Sequence, residues 1–274
     1  MKIFLLAVPY DSGHYKIRLG TGPLMLQKGL ARDLNNRMHE VREGEVSLDI
    51  AFPTEIATGF EVARRVAARI FESKEHNEFP IVFAGNCNAA ALGILSGLRG
   101  EEGIVWFDAH GDFNTPETSS SGFLDGMALS MVTGSCWTAL TASIPGYRPM
   151  PEEKIVLIGG HDLDPLEENR LRASAITVIS PETVRRNSDV STFLPTVRSV
   201  YLHIDLDVLD TSFVKANSYA GPGGLSPAEL FSIISVIKKN HNISAIAFTS
   251  YDPSMDPEQK VQGVITEIVK IVIE

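Results

Sequence analysis

Two short stretches of the chain concentrate side chains able to hold a metal ion. The first is Asp108-Ala109-His110-Gly111-Asp112-Phe113-Asn114, directly after the apolar run Ile104-Val105-Trp106-Phe107. The second is Asp205-Leu206-Asp207, with Asp210 close behind, after Val200-Tyr201-Leu202-His203-Ile204. A lone Asp at a strand end is usually a cap or a turn former. Two clusters, each after an apolar strand and one with a histidine, favour a shared site instead. Carboxylates gathered where buried strands end carry a desolvation cost of several kcal/mol each unless they are paired. A divalent cation removes that cost, and two cations remove it for a larger cluster. The carboxylate-rich set with one imidazole suits Mn²⁺ or a related borderline metal. Two such ions a few ångströms apart can turn a water into a nucleophile at neutral pH.

The elements around these clusters must bring them together. Apolar runs predict strands at Lys2–Val8, Pro80–Ala84, Gly103–Phe107, Lys154–Ile158, Ala175–Ile179, Ser199–Ile204 and Ser244–Thr249, with a weaker one at Ser47–Phe52. Helices are predicted at Thr54–Ser73, Asn88–Leu98, Ser226–Lys239 and Pro257–Ile273, the third opening on a Ser-Pro cap. Strands apolar on both faces, with helices between them, imply a parallel sheet covered on both sides. In such sheets ligands sit beyond the C-terminal strand ends, where both acidic clusters fall. The longest irregular stretches, Phe113–Asp125 and Asp210–Leu225, each follow one of those clusters. No linker or internal repeat divides the chain, so one α/β domain over 1–274 is expected.

Composition excludes several classes. Of 274 residues, 24 are Lys or Arg and 34 are Asp or Glu, a net charge of −10 with no basic run. Nucleic acid and anionic membrane surfaces are therefore poor partners. Two cysteines, Cys87 and Cys136, are too few for a disulfide scaffold and suit a reducing compartment. The apolar start, Met1 to Pro9, is short for a signal peptide, and no run approaches the roughly 20 apolar residues of a membrane span. A cytoplasmic protein is expected. His14, His39, His76, His161 and His241 show no ligand spacing and read as surface or satisfied core histidines.

The first acidic stretch resembles the Asp-Ala-His-x-Asp-x-Asn metal motif of the arginase (ureohydrolase) family, and His203 through Asp210 resembles its second metal motif. Pro9 through Pro23 is similar to the family's N-terminal segment, and Ile158-Gly159-Gly160-His161-Asp162-Leu163-Asp164-Pro165 to its middle motif. The resemblance covers most of the chain. It implies a three-layer α/β/α fold on an eight-stranded parallel sheet, two Mn²⁺ per subunit and hydrolysis of a guanidino C–N bond. A homo-oligomer is possible. By the same resemblance Asp108 and Asp205 would bridge the ions, His110 and Asp207 would complete one, and Asp112 would help hold the other. Asn114, Ser119 and Ser121 match positions that take a substrate α-carboxylate, and Asp164 with Glu167 the α-amino end. Asp108, Asp112 and Asp125 are the expected catalytic residues.

Three departures from the family pattern bear on the substrate. The family's Gly-Gly-Asp-His-Ser segment reads Ala84-Gly85-Asn86-Cys87-Asn88, so Cys87 stands where a histidine binds metal. It is expected as a ligand, against the alternative of a buried inert thiol. Asp125 stands where the family has a proton-shuttling histidine. Ser250, in Ser250-Tyr251-Asp252-Pro253, stands where a glutamate pairs with guanidinium, and Asp252 is a substitute in the wrong register. A guanidinium wants a carboxylate partner. An N-hydroxyguanidine is less basic and can enter neutral. The cysteine pattern is also similar to a branch of the family that hydrolyses Nω-hydroxy-L-arginine to hydroxyurea and L-ornithine in antibiotic biosynthesis. The expected reaction is therefore hydroxyarginine hydrolysis. Alternatives are an arginase, agmatinase or formiminoglutamase with an altered pocket, or a non-catalytic metal-binding relative.

Overall fold

A computed structural model describes residues 1–50, 52–187 and 190–274. Eight strands form one sheet: β1 (Lys2–Val8), β2 (Glu40–Glu45), β3 (Phe79–Ala84), β4 (Gly103–Asp108), β5 (Ile155–Gly159), β6 (Thr177–Ile179), β7 (Ser199–Asp205) and β8 (Asn242–Thr249). They lie in the order β2-β1-β3-β8-β7-β4-β5-β6, and every pairing is parallel. The helices that cover the sheet include α1 (Gly22–Asn36), α2 (Glu55–Glu75), α3 (Cys87–Leu98), α4 (Pro165–Ala173), α5 (Pro227–Asn240) and α6 (Lys260–Ile273). Among the described residues no helix is long and apolar enough to cross a membrane.

The sheet is apolar on both faces because each face meets its own layer of helices. In β1, Phe4, Leu6 and Val8 join the core under α2 and α3, while Ile3 and Leu5 join the core under α1, α5 and α6. In β4, Ile104 and Trp106 face one way and Val105 and Phe107 the other. This alternation is the period-two geometry of a strand applied to two buried sides. Helix α2 starts where the Thr54 side chain accepts a hydrogen bond from the Ala57 N–H, and it buries Phe60, Ala63, Val66, Ala67 and Ile70 on one stripe. Helix α5 opens on a capping box between Ser226 and Glu229.

One expected strand is corrected. The second strand is not Ser47–Phe52 but Glu40–Glu45, and Ala51 lies outside the described residues. Its sequence, Glu-Val-Arg-Glu-Gly-Glu, is that of an exposed edge strand paired on one side only, with β1. Edge strands carry charge instead of the β-branched run that marks a central one. The closing helix starts at Lys260, three residues later than expected, after Gln259 in the left-handed region. Helices α1 and α4, each with a proline in its first turn, lie where the sequence had given no helical reading.

Because all eight strands run the same way, their C-terminal ends share one edge. Register sets neighbours there: Thr249 beside Ala84 and Asp205, Phe107 beside Ile204, and Asp108 beside Gly159. The central strands β3, β8, β7 and β4 thus deliver the segments starting at Gly85, Ser250, Leu206 and Ala109 to one place.

Candidate metal centre

A cavity of about 310 Å³ opens at that edge. Every residue that the sequence assigns to metal binding, catalysis or the substrate lines it. Cys87, Asp108, His110, Asp112, Asp205 and Asp207 form its floor, and Asp125 and Ser250 flank them. Asn114, Ser119, Ser121, Asp164 and Glu167 line it too, with Asp164 and Ser121 exposed and Glu167 buried. Asp252 is not among its lining; its carboxylate accepts the Ser254 N–H instead. Among the described residues, three overlapping groups offer ligand atoms within 4.8 Å of one another: Cys87 with Asp112 and Asp125, Cys87 with Asp108 and Asp205, and Asp108 with His110 and Asp207.

The backbone aims these groups. Asp108 ends β4, and its Oδ1 accepts the His110 N–H at 2.8 Å, which folds the chain back over the strand end. Asp205 ends β7 and accepts the Asp207 N–H at 3.0 Å. Asp207 in turn accepts the Ala109 N–H at 3.2 Å, so the two acidic turns are tied together. The His110 imidazole lies between them, Nδ1 being 3.3 Å from Asp108 and 3.4 Å from Asp207. Asp112 holds its side chain inward from a left-handed backbone, φ 49°, a conformation Asp tolerates better than most residues. Gly159 permits the close neighbour on the other side: at φ 124° it would place a Cβ 1.9 Å from the Asp108 carbonyl oxygen.

Cys87 occupies the first turn of α3. Its Sγ donates to Asp205 Oδ2 at 2.9 Å and lies 3.1 Å from Thr249 Oγ1. The same Asp205 oxygen accepts the Ser250 hydroxyl and, at 3.2 Å, that of Thr249. Ser250 also stands on a left-handed backbone, φ 62°, with its carbonyl held by Asn217 Nδ2 at 2.6 Å. Asp125 accepts two donors, Asn86 Nδ2 at 2.9 Å on one oxygen and the Asn88 N–H at 3.0 Å on the other.

The electrostatics are those of a buried anion cluster. Burial, reinforced by the Asp207 charge, pushes Asp108 up to about 6. Burial pushes Asp125 up to about 7 against the Asn88 and Asn86 hydrogen bonds. Asp112 and Asp205 are driven well above the carboxylate range, again by burial first and then by neighbouring aspartates. Asp207 goes the other way: burial opposes its ionisation, but the His110 hydrogen bond and charge hold it low. Burial works against the His110 proton, yet Asp108 and Asp207 hold it far above the usual imidazole range. Burial and then Asp205 raise the Cys87 thiol. A helix N-terminus ordinarily lowers a thiol pKa, but full burial among aspartates outweighs it here.

The residues fit a metal centre on their own chemistry. Asp112 Oδ2 is buried with no hydrogen-bond partner, which is costly for a carboxylate oxygen unless a cation meets it. Five buried aspartates line the cavity with one imidazole and one thiol, a donor set of hard oxygens with one borderline and one soft ligand.

Some supporting residues carry little signal in the sequence. Trp106 donates Nε1–H to Asp108 Oδ2 at 2.9 Å and stacks on His203 at 3.6 Å between ring centroids. The spacing was a usable clue, since residues i and i+2 of a strand share a face. His203 is fully buried, hydrogen-bonded to the Tyr201 hydroxyl at 2.7 Å, and held neutral by burial. Thr249, Asn86 and Asn88 look like ordinary polar residues until the register places them. His161 is a correction: it is not a satisfied histidine, because both ring nitrogens are buried without partners. The two irregular stretches meet over the cavity, where Phe123 and Tyr219 stack with centroids 6.2 Å apart.

Comparison with known proteins agrees with this geometry. The model of the Arginase family matches residues 1–273. The chain is 27% identical to arginase from Bacillus caldovelox, over 97% of this chain and 96% of that one. It is 31% identical to the N(omega)-hydroxy-L-arginine amidinohydrolase of Streptomyces lavendulae, over 74% and 71% of the two chains. The solved structure of arginase from Bacillus subtilis strain 168 superposes with a TM-score of 0.89 over 100% of this chain and 98% of that one, at 24% identity, a likeness of fold.

Proposed function

The chain belongs to the arginase family, metal-dependent hydrolases of guanidino C–N bonds, and from that premise we propose that it converts Nω-hydroxy-L-arginine and water to hydroxyurea and L-ornithine. The observation that carries this reading is Ser250. The resemblance puts a carboxylate there to receive a guanidinium, and this chain has a hydroxyl that donates to Asp205. A guanidinium entering this cavity meets no free carboxylate at that position, whereas a hydroxyguanidine can enter neutral and has one more oxygen to fill the space. The similarity to the Streptomyces lavendulae amidinohydrolase supports the same substrate.

We assign Cys87, Asp108, Asp112 and Asp205 to one Mn²⁺, and Asp108, His110, Asp205 and Asp207 to the other. When bound, such a pair supplies water activation at neutral pH and neutralises charge developing at the guanidino carbon. The rest falls to the protein. Asn114, Ser119 and Ser121 receive the substrate's α-carboxylate. Asp164 and Glu167 face its ammonium; Asn114 Nδ2 already reaches Asp164 Oδ2 at 3.4 Å, which fixes the spacing of the two subsites. Holding the amino-acid end sets the guanidino carbon over the floor and converts an encounter into an oriented one. Asp112, buried beside the other aspartates of the cavity, is the group that passes the proton released by the attacking water to the departing nitrogen.

The test is kcat/KM for L-arginine, Nω-hydroxy-L-arginine, agmatine and formiminoglutamate, with the wild type and with Ser250→Glu. A desolvated cation without its partner loses about 2 kcal/mol or more, a factor of about 30. The wild type should prefer hydroxyarginine over arginine by at least that factor, and agmatine, lacking the carboxylate, should be poor. Ser250→Glu should move the ratio toward arginine. Equal values in the wild type, or a ratio that Ser250→Glu leaves unchanged, would refute the substrate.

A further inference from the structure

We infer that Asp125 is itself a ligand of the ion on the Cys87 side, a carboxylate anchor completing the group Cys87–Asp112–Asp125. The inference rests on the two-ion reading above and makes Asp125 a metal ligand at the position where the resemblance has a proton-shuttling histidine. Three observations lead there.

One atom each from Cys87, Asp112 and Asp125 lies within 4.8 Å of the other two, and all three residues are buried. Asp112 Oδ2 is the independent pointer. That residue is 6% exposed, its oxygen has no partner, and it belongs to this same group. An ion held among the three residues would give the Asp112 carboxylate the partner that its Oδ2 lacks.

Asp125 is held in the manner of a ligand. Each carboxylate oxygen takes one donor, Asn86 Nδ2 and the Asn88 N–H, which leaves lone pairs on both for an ion. Those donors flank Cys87 in sequence, so thiol and carboxylate are positioned by one turn of backbone. Asn86 is fixed behind them: its Oδ1 accepts the Ser12 N–H at 2.5 Å. Hydrogen bonds that orient a ligating carboxylate are the usual outer layer of a metal site. A shuttle to bulk water, unlike the local transfer given to Asp112, must swing out to solvent, and Asp125 is 7% exposed and tied at both oxygens.

The chemistry of the set agrees. A thiol in place of an imidazole softens one ligand, and a carboxylate added beside it restores hard-oxygen character, which keeps the site suited to a borderline ion such as Mn²⁺ or Co²⁺.

The experiment loads metal-free wild type, Asp125→Asn and Asn86→Ala with Co²⁺. It measures stoichiometry and affinity by calorimetry, and the thiolate-to-cobalt and ligand-field absorption bands. Wild type should bind two ions. Asp125→Asn should hold one and bind the second at least about 30-fold more weakly, with a changed ligand-field spectrum on the thiolate side. Asn86→Ala keeps the ligand but loosens it, so its second ion should weaken about 10-fold. It also carries the decision should Asp125→Asn fail to fold by circular dichroism. Two ions bound as tightly as in the wild type, with unchanged bands, overturn the inference and leave the two-ion reading standing. Wild type that binds fewer than two ions overturns both.

Discussion

Cys87 and Asp205 share a contact of 2.9 Å, and what that contact becomes on metal binding depends on the hardness of the ion. Thiolate is a poor match for Mn²⁺, so replacing it by imidazole should tighten the Cys87 side. Cys87→His is expected to retain roughly 10-fold more Mn²⁺ after dialysis against metal-free buffer, read by elemental analysis. Unchanged retention would make the thiol structural. At this scale the sequence was informative wherever a residue type is chemically rare in its setting. Asp108, His110, Asp112, Asp205 and Asp207 declare themselves because two carboxylate clusters, one of them with an imidazole, each follow a buried strand. Asn86, Asn88 and Thr249 do not, since amides and hydroxyls serve equally well as caps and turns. Trp106 is a third case: a large aromatic in a buried strand reads as core, and its indole N–H finds Asp108 only because both lie on one face of β4.

Strand ends, more than helices, decide where the chemistry sits. The central strands were legible because two-sided burial leaves no polar residue to blur them, whereas β2 was not, because an edge strand is written in charges. Helices α1 and α4 begin inside two motifs, at Gly22-Pro23 and Asp164-Pro165, whose residues are noticed for their resemblance and not for a helical period. Gly159 shows how tightly neighbouring strand ends are fitted. A Cβ there would strike the Asp108 backbone and also force a left-handed strain. Gly159→Ala should destabilise the fold by more than about 2 kcal/mol and displace Asp108, so kcat should fall along with the unfolding midpoint in urea. A variant with native stability and native turnover would show that the β4–β5 edge is slack.

Over the whole molecule, the metal-free protein stores protons that the unfolded chain would release. Asp108, at about 6, and Asp125, at about 7, lie above the ordinary carboxylate range, so stability linked to them is present at low pH and lost as pH rises through those values. His110 acts in the same direction above about 6.5, the usual imidazole value, because the native state keeps its proton. The acid limit comes from groups with depressed values, among them Asp207, Glu78 and Glu229, whose stability disappears as pH falls below about 4. Chelator-treated protein should therefore melt at a higher temperature at pH 5 than at pH 8, in one cooperative transition. Mn²⁺ should flatten or reverse that slope, since ion and protons compete for the same oxygens. A metal-free melting temperature that climbs from pH 5 to pH 8 would contradict the buried acid cluster. The strand order has a consequence in time as well as in space. Strand β8, formed by residues 242–249, lies between β3 and β7, so the middle of the sheet pairs Ile81–Ala84 with Ile246–Thr249, segments far apart along the chain. Such long loop closures are slow steps in folding. Until β8 inserts, Cys87 and Asp205 have no sheet to hold them side by side, and capture of the ions becomes a marker that the last strand has arrived.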